Sequence, residues 1–143
     1  MTEKVDPLKK EIRLEASLEN LDPVQAFIEE RLEAAGCPIK AQMQIGVAVE
    51  EIFVNIAQYA YAPGSGEAVV CVESSEEARS VTIRFADRGV PYDPLARQDP
   101  DITLPAEQRD VGGLGVFMTK KLMDEMSYEY RDGQNVLTMK KSW

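Results

Sequence analysis

Val47-Ala48-Val49-Glu50-Glu51-Ile52-Phe53-Val54-Asn55-Ile56-Ala57-Gln58-Tyr59-Ala60-Tyr61 is a long apolar run with polar groups at only a few positions. On a helix of 3.6 residues per turn, Glu51, Asn55 and Gln58 stand at i, i+4 and i+7 and share one face. Ala48, a turn earlier, keeps that polar stripe narrow. The remaining positions are Val, Ile, Phe and Ala almost all round, a pattern that predicts a buried helix. Buried carboxylates and carboxamides cost free energy unless something partners them. Two readings follow. In one, Glu51 and Asn55 are buried polar groups capping a neighbouring strand or loop. In the other they face a ligand: Asn55 offers a carbonyl oxygen to a hard cation such as magnesium, and Glu51 acts as a general base on water or a hydroxyl.

Outward from this run, the helix is expected to span about Ile39 to Tyr59, opened by Pro38. Before it, Asp22-Pro23 reads as a helix start, with Asp as the cap and Pro in the first turn. Val24, Phe27, Ile28, Leu32 and Ala35 then recur at helical spacing, and Gly36 ends that helix. Glu11 to Ala16 alternates around Ile12 and Leu14 and reads as a strand. The first eight or so residues are polar and expected to be loose.

After the run, Pro63-Gly64-Ser65-Gly66 is a loop. Glu67 to Glu73 and Ser80 to Ala86 read as a hairpin around the polar turn Ser74 to Ala78, with Val81, Ile83 and Phe85 inward. From Asp87 to Gly115 the periodicity dissolves into prolines and charges, and a stretch of this length suggests a lid. Val116 to Met126 is expected to be helical. Ser127 to Arg131 and Gln134 to Lys140 read as strands joined by Asp132-Gly133, a strong hairpin signal. The order β-α-α-β-β-lid-α-β-β predicts an α+β two-layer sandwich, a mostly antiparallel sheet with helices on one face, in a single domain over residues 1–143.

Two further stretches bear on chemistry. Asp87-Arg88-Gly89 stands at the end of the Val81–Phe85 strand. It reads as a plain turn, or as a carboxylate accepting a hydrogen bond from an amine-bearing ring, with Gly89 letting the ring approach the backbone. Gly112-Gly113-Leu114-Gly115 opens the Val116 helix. It reads as a hinge, or as a phosphate cradle of backbone N–H groups at a helix N-terminus. Its spacing is neither that of a P-loop nor that of a dinucleotide fingerprint.

Composition narrows the classes. The chain has 143 residues with 44% hydrophobic and 29% charged, a globular composition. No apolar run has membrane-spanning length, and the start lacks the order of a secretory signal, so a cytoplasmic protein is expected. The formal charge of −9, from 16 basic and 25 acidic residues, argues against direct nucleic-acid binding. Cys37 and Cys71 suggest neither a bridge nor a metal site. The absence of histidine removes His-based triads, most zinc sites and any phosphohistidine on this chain.

Taken together, Glu51-x-x-x-Asn55 on a helix, Asp87-x-Gly89 after a strand and Gly112 to Gly115 opening a helix resemble the GHKL ATPase superfamily. That group includes gyrase-type ATPases, sensor histidine kinases and small anti-sigma-factor serine kinases. The resemblance runs over nearly the whole chain and implies the Bergerat fold. The three stretches match the N box and the two glycine boxes, and the helix after the second box is similar to that of anti-sigma regulatory factors. The resemblance implies ATP and Mg2+ as cofactors. Asn55 would ligate magnesium, Asp87 would read the adenine amine with Gly89 beside it, and Gly113 and Gly115 would contact phosphates. Glu51 would be the base that activates a partner's serine. The partners implied are a sigma factor and a STAS-type antagonist, with a homodimer formed through the first strand as a further expectation. Two departures stand out. Gln58 and Tyr59 occupy positions where relatives often carry His or Asn, and Arg109 is separated from the second glycine box by Asp110 and Val111. ATP binding is therefore the firmer expectation and phosphotransfer the weaker one. The alternatives are a non-catalytic ATP-dependent binding module, or a stand-alone ATP-binding domain with another partner.

Overall fold

The three central strands of the sheet alternate buried and half-buried residues, and that period of two decides which sheet face carries the core. In this computed structural model, residues 9–96 and 113–143 are described. The strands are β1 (Lys9–Glu15), β2 (Glu67–Ser75), β3 (Ser80–Asp87), β4 (Glu125–Arg131) and β5 (Gln134–Ser142). They form one sheet in the order β1-β2-β3-β5-β4, with every neighbouring pair antiparallel. Val70, Val72, Val81, Ile83, Phe85 and Met139 are buried on one face. The helices α1 (Leu21–Ala34), α2 (Ile39–Asn55) and α3 (Gly113–Leu122) complete the architecture. Val24, Ile28 and Leu32 of α1 join Ile45, Val49 and Phe53 of α2 in a single core with the sheet. The expected α+β two-layer arrangement is the one observed. The Arg109, Asp110, Val111 and Gly112 positions, and the expected lid from 97 onward, lie outside the described residues.

Several boundaries differ from the pattern-based expectation, each for a local reason. Helix α1 starts at Leu21, led in by a 3-10 turn at Leu18–Asn20, so Asp22 sits in the first turn and does not cap. Gly36 ends α1 with φ +76, a conformation that favours glycine. Helix α3 stops at Leu122 and Met126 belongs to β4. Lys141 Nζ donates to the Leu122 carbonyl at 2.6 Å, and Asp124 N–H donates to the Lys140 carbonyl at 2.9 Å, so strand pairing claims the chain immediately after the helix. Pairing with β3, which sets Ser80 opposite Ser142, carries β5 to Ser142. The Asp132-Gly133 turn has φ +54 and +75, as a two-residue hairpin of the primed type requires.

The larger correction concerns α2. It is not buried all round: Ile39, Met43 and Val47, spaced i, i+4 and i+8, are 71%, 68% and 53% exposed. Among the described residues, α2 meets α1 and α3 on two sides, and its outer row stays exposed. Nor does it continue as an α-helix to Tyr59. After Asn55 the winding changes to a π-helical turn over Ile56–Ala60. Such turns insert a residue into the helical register, and Gln58 is exposed.

Candidate functional site

The π-helical turn and the end of β3 are bound to one another. Val90 N–H donates to the Ala60 carbonyl at 2.9 Å. Tyr61 extends this junction: its hydroxyl accepts the Arg88 N–H at 2.7 Å and donates to the Glu67 carbonyl at 2.5 Å. Gly89 has a role here. A Cβ built on it would overlap the Ala60 carbonyl, so only glycine lets the two backbones pass this closely. The neighbour that requires a glycine at this position is therefore the π-helical turn.

Between that junction and α3 lies a cavity of about 520 Å³, within the usual size of a small-molecule pocket. Ile52, Ile56, Val90 and Val116 give it apolar walls, and Asn55, Asp87 and Asn135 bring polar groups to it. Tyr59 and Tyr92, both more than half exposed, also line it. Asp87 is buried, at 6% exposure. Its Oδ1 accepts the Gly89 N–H at 2.9 Å and the Asn135 carboxamide at 2.9 Å. A buried carboxylate held by two donors is a satisfied group, not a defect. Asn135 was missed by pattern reading, which placed it in the Gln134–Lys140 strand, where nothing local marks a partner 48 residues away.

Glu51 lies one turn before Asn55 on α2. The Asn55 Nδ2 donates to Glu51 Oε1 over a long 3.4 Å, so Asn55 Oδ1 is the atom left to accept or to ligate. The Glu51 carboxylate lies directly against Gly115 near the start of α3, where any Cβ would overlap it. Desolvation by burial pushes the Glu51 carboxyl above its ordinary range, partly offset by the Asn55 hydrogen bond, with Glu50 adding a small upward push. Thr119 Oγ1 donates to the Gly115 carbonyl at 3.0 Å and is buried. The fold thus gathers Asn55 and Asp87 on one cavity, Gly89 behind Asp87, and Glu51 with Gly115 above Asn55. Gly113 is the first residue of α3, and its surroundings lie outside the described residues.

The donor set can be tested for its fit to a nucleotide. Apolar walls with one carboxylate acceptor suit a flat, amine-bearing base. Among the described residues no group of three or more His, Cys, Asp or Glu forms a metal cage. A cation here would be held by the Asn55 oxygen together with ligand oxygens, which suits magnesium on a phosphate chain.

Residues 14–141 match the family described as "Histidine kinase-like ATPase domain". Among characterised proteins, the serine/threonine-protein kinase BtrW of Bordetella bronchiseptica is 28% identical over 100 residues, covering 70% of this chain and 70% of that protein. The serine-protein kinase RsbW of Listeria monocytogenes is 28% identical over 110 residues, with 74% and 69% covered. RsbW of Bacillus cereus is 32% identical over 98 residues, with 66% and 60% covered. Among solved structures, that of the RsbU and RsbW domains of Rv1364c from Mycobacterium tuberculosis aligns with a TM-score of 0.67 at 20% identity. The alignment covers 94% of this chain but 32% of that longer one, and at this identity it speaks to the fold alone.

Proposed function

From the premise that the chain belongs to the histidine kinase-like ATPase domain family, we propose that it is an ATP-dependent protein-serine kinase that regulates transcription by partner switching. In this reading it acts in the cytoplasm, holding a sigma factor in one state and phosphorylating a STAS-type antagonist in the other. The kinase assignment draws on relatives whose names are serine-protein kinase. The observation that carries the ATP site is that Asn55 and Asp87, 32 residues apart in sequence, line one cavity of nucleotide size.

Each group has a role that follows from its surroundings. Asp87 accepts from the base amine at the inner end of the cavity. Asn55 offers Oδ1 to magnesium, because its nitrogen is turned to Glu51. Gly113 and Gly115 open α3, whose N-terminus favours negative charge, and so would face the phosphates. Bound magnesium-ATP supplies the transferable phosphoryl group and the cation that neutralises it. Glu51 is the base: a carboxylate made more basic by desolvation takes a serine proton more readily at neutral pH. Gly115 leaves the space that keeps this carboxylate at the α3 end of the site. Among the described residues no helix is long and apolar enough to cross a membrane.

Transfer of labelled γ-phosphate to a STAS-type substrate tests the reading, beside nucleotide binding by calorimetry. Asp87→Asn is expected to abolish binding, since it turns an acceptor oxygen into a possible donor. Glu51→Gln is expected to keep binding and to lose transfer by at least about a hundredfold. Binding without transfer in the unsubstituted protein would point to a non-catalytic, ATP-dependent binding module. Equal transfer by Glu51→Gln would remove Glu51 as the base.

A further inference from the structure

Where the β2–β3 ladder stops, a side chain takes over from the backbone. The last pair sets Ala68 opposite Asp87, so the next rung would set Glu67 opposite Arg88. The Tyr61 hydroxyl stands in that rung. It accepts the Arg88 N–H at 2.7 Å and donates to the Glu67 carbonyl at 2.5 Å. A phenol can do both at one atom, whereas a backbone N–H only donates and a carbonyl only accepts. Two glycines make the seat. A Cβ on Gly66 would overlap the Tyr61 ring, and one on Gly89 would overlap the Ala60 carbonyl. Residues 60 and 61 are thus pressed against the ends of both strands. The π-helical turn that leads to them spans Ile56–Ala60 and starts directly after Asn55, the proposed magnesium ligand. Its Ile56, Tyr59 and Ala60 line the cavity, and Tyr61 is not among the lining residues.

We propose that Tyr61 is a positioning residue for nucleotide retention: as the hydroxyl-bridged rung between β2 and β3 it fixes the far end of the π-helical turn, and with it one wall of the cavity, without touching the ligand. This rests on the nucleotide site proposed above and concerns how long that site holds its ligand. A wall fixed before binding need not be ordered when the ligand arrives. Without the hydroxyl, the Arg88 N–H and the Glu67 carbonyl pair with each other or with water, and the ring keeps only its packing. Among the described residues, the junction is then tied to β3 by the one bond from Val90 N–H to the Ala60 carbonyl. A looser wall hardly alters encounter with the ligand but releases it sooner, so the effect falls on dissociation. The Asp87 hydrogen bonds to Gly89 and Asn135 do not involve Tyr61.

The test uses the full chain and magnesium-ADP, with affinity from calorimetry and dissociation from stopped-flow displacement, well below the melting temperature of every variant. Tyr61→Phe is expected to raise Kd by about tenfold, nearly all of it as faster dissociation. It should also lower the protection of the Val90 amide against hydrogen exchange. Gly66→Ala keeps the hydroxyl but pushes the ring from its seat, and should weaken binding by at least about threefold. Gly36→Ala, a destabilised control at the end of α1, should leave Kd within about twofold. A merely structural role for Tyr61 would lower the melting temperature, as Gly36→Ala does, and leave dissociation unchanged. That result in Tyr61→Phe, or in Gly66→Ala if Tyr61→Phe does not fold, overturns the assignment while the nucleotide site stands. Failure of the unsubstituted protein to bind magnesium-ADP would overturn the site and this inference together.

Discussion

Glu51 shows how a single residue carries opposite demands. Its folded-state carboxyl is raised mainly by desolvation, so its ionised form is less favourable in the native state than in the unfolded chain. By linkage, its contribution to stability is fully present below its ordinary value near 4.5 and is lost as pH rises through the elevated folded value. At neutral pH the carboxylate is therefore a destabilising group retained for another reason. Glu51→Gln is expected to raise the melting temperature at pH 7, with the advantage shrinking as pH falls toward 4.5 and below. Melting curves across pH 4 to 8 check this, and a lower melting temperature for Glu51→Gln at pH 7 would contradict it. The residue type and its i, i+4 relation to Asn55 were legible in the chain. Its contact with Gly115 was not, because 64 residues separate the two and only the packing of α2 on α3 brings them together.

At the scale of elements, glycines act at two junctions by different physics. Gly36 has positive φ and no atom near a would-be Cβ, so Gly36→Ala should cost about 1 kcal/mol from backbone conformation alone. Gly89 has ordinary space in sequence terms but faces the backbone of the π-helical turn. Gly89→Ala must push apart the end of β3 and the turn after α2, at about 1–3 kcal/mol. Urea unfolding of both variants checks these values. Nucleotide affinity separates them: it should fall for Gly89→Ala and hold for Gly36→Ala, which lies at the end of α1. The Gly36 stop was readable from local signals. The Gly89 contact was not, and neither was the π-helical turn. Nothing in Ile56-Ala57-Gln58-Tyr59-Ala60 distinguishes it from α-helix until Val90 N–H takes the Ala60 carbonyl.

For the molecule as a whole, the site is a seam between the α2–π segment, the β3–β5 pair and α3, so a ligand held there bears on all of them. A ligand bound only by the folded state at a hundred times its dissociation constant adds about 2.7 kcal/mol. For a domain of this size that is a rise of roughly 6–10 °C in melting temperature. Magnesium-ATP is expected to produce that shift, and Asp87→Asn to abolish it. A missing shift at saturating nucleotide would sink the ATP site. The net charge of −9 gives the phosphates no help at long range. In the proposed site, backbone N–H groups, a helix N-terminus and magnesium would supply the positive field locally.

By itself the sequence determined the element order, the inward face of β3, the Asp132-Gly133 hairpin and the three motif stretches. All of these are encoded by neighbours within one turn or one strand pair, where periodicity and turn chemistry act. Tertiary structure alone decided which face of α2 is exposed among the described residues, where α3 yields to β4, and that Asn135 holds Asp87 in place. Those outcomes depend on groups 16 or more residues apart, or on which surfaces the neighbouring elements cover. A linear pattern records a residue's own preferences. It does not record the donors and backbones that folding places beside it.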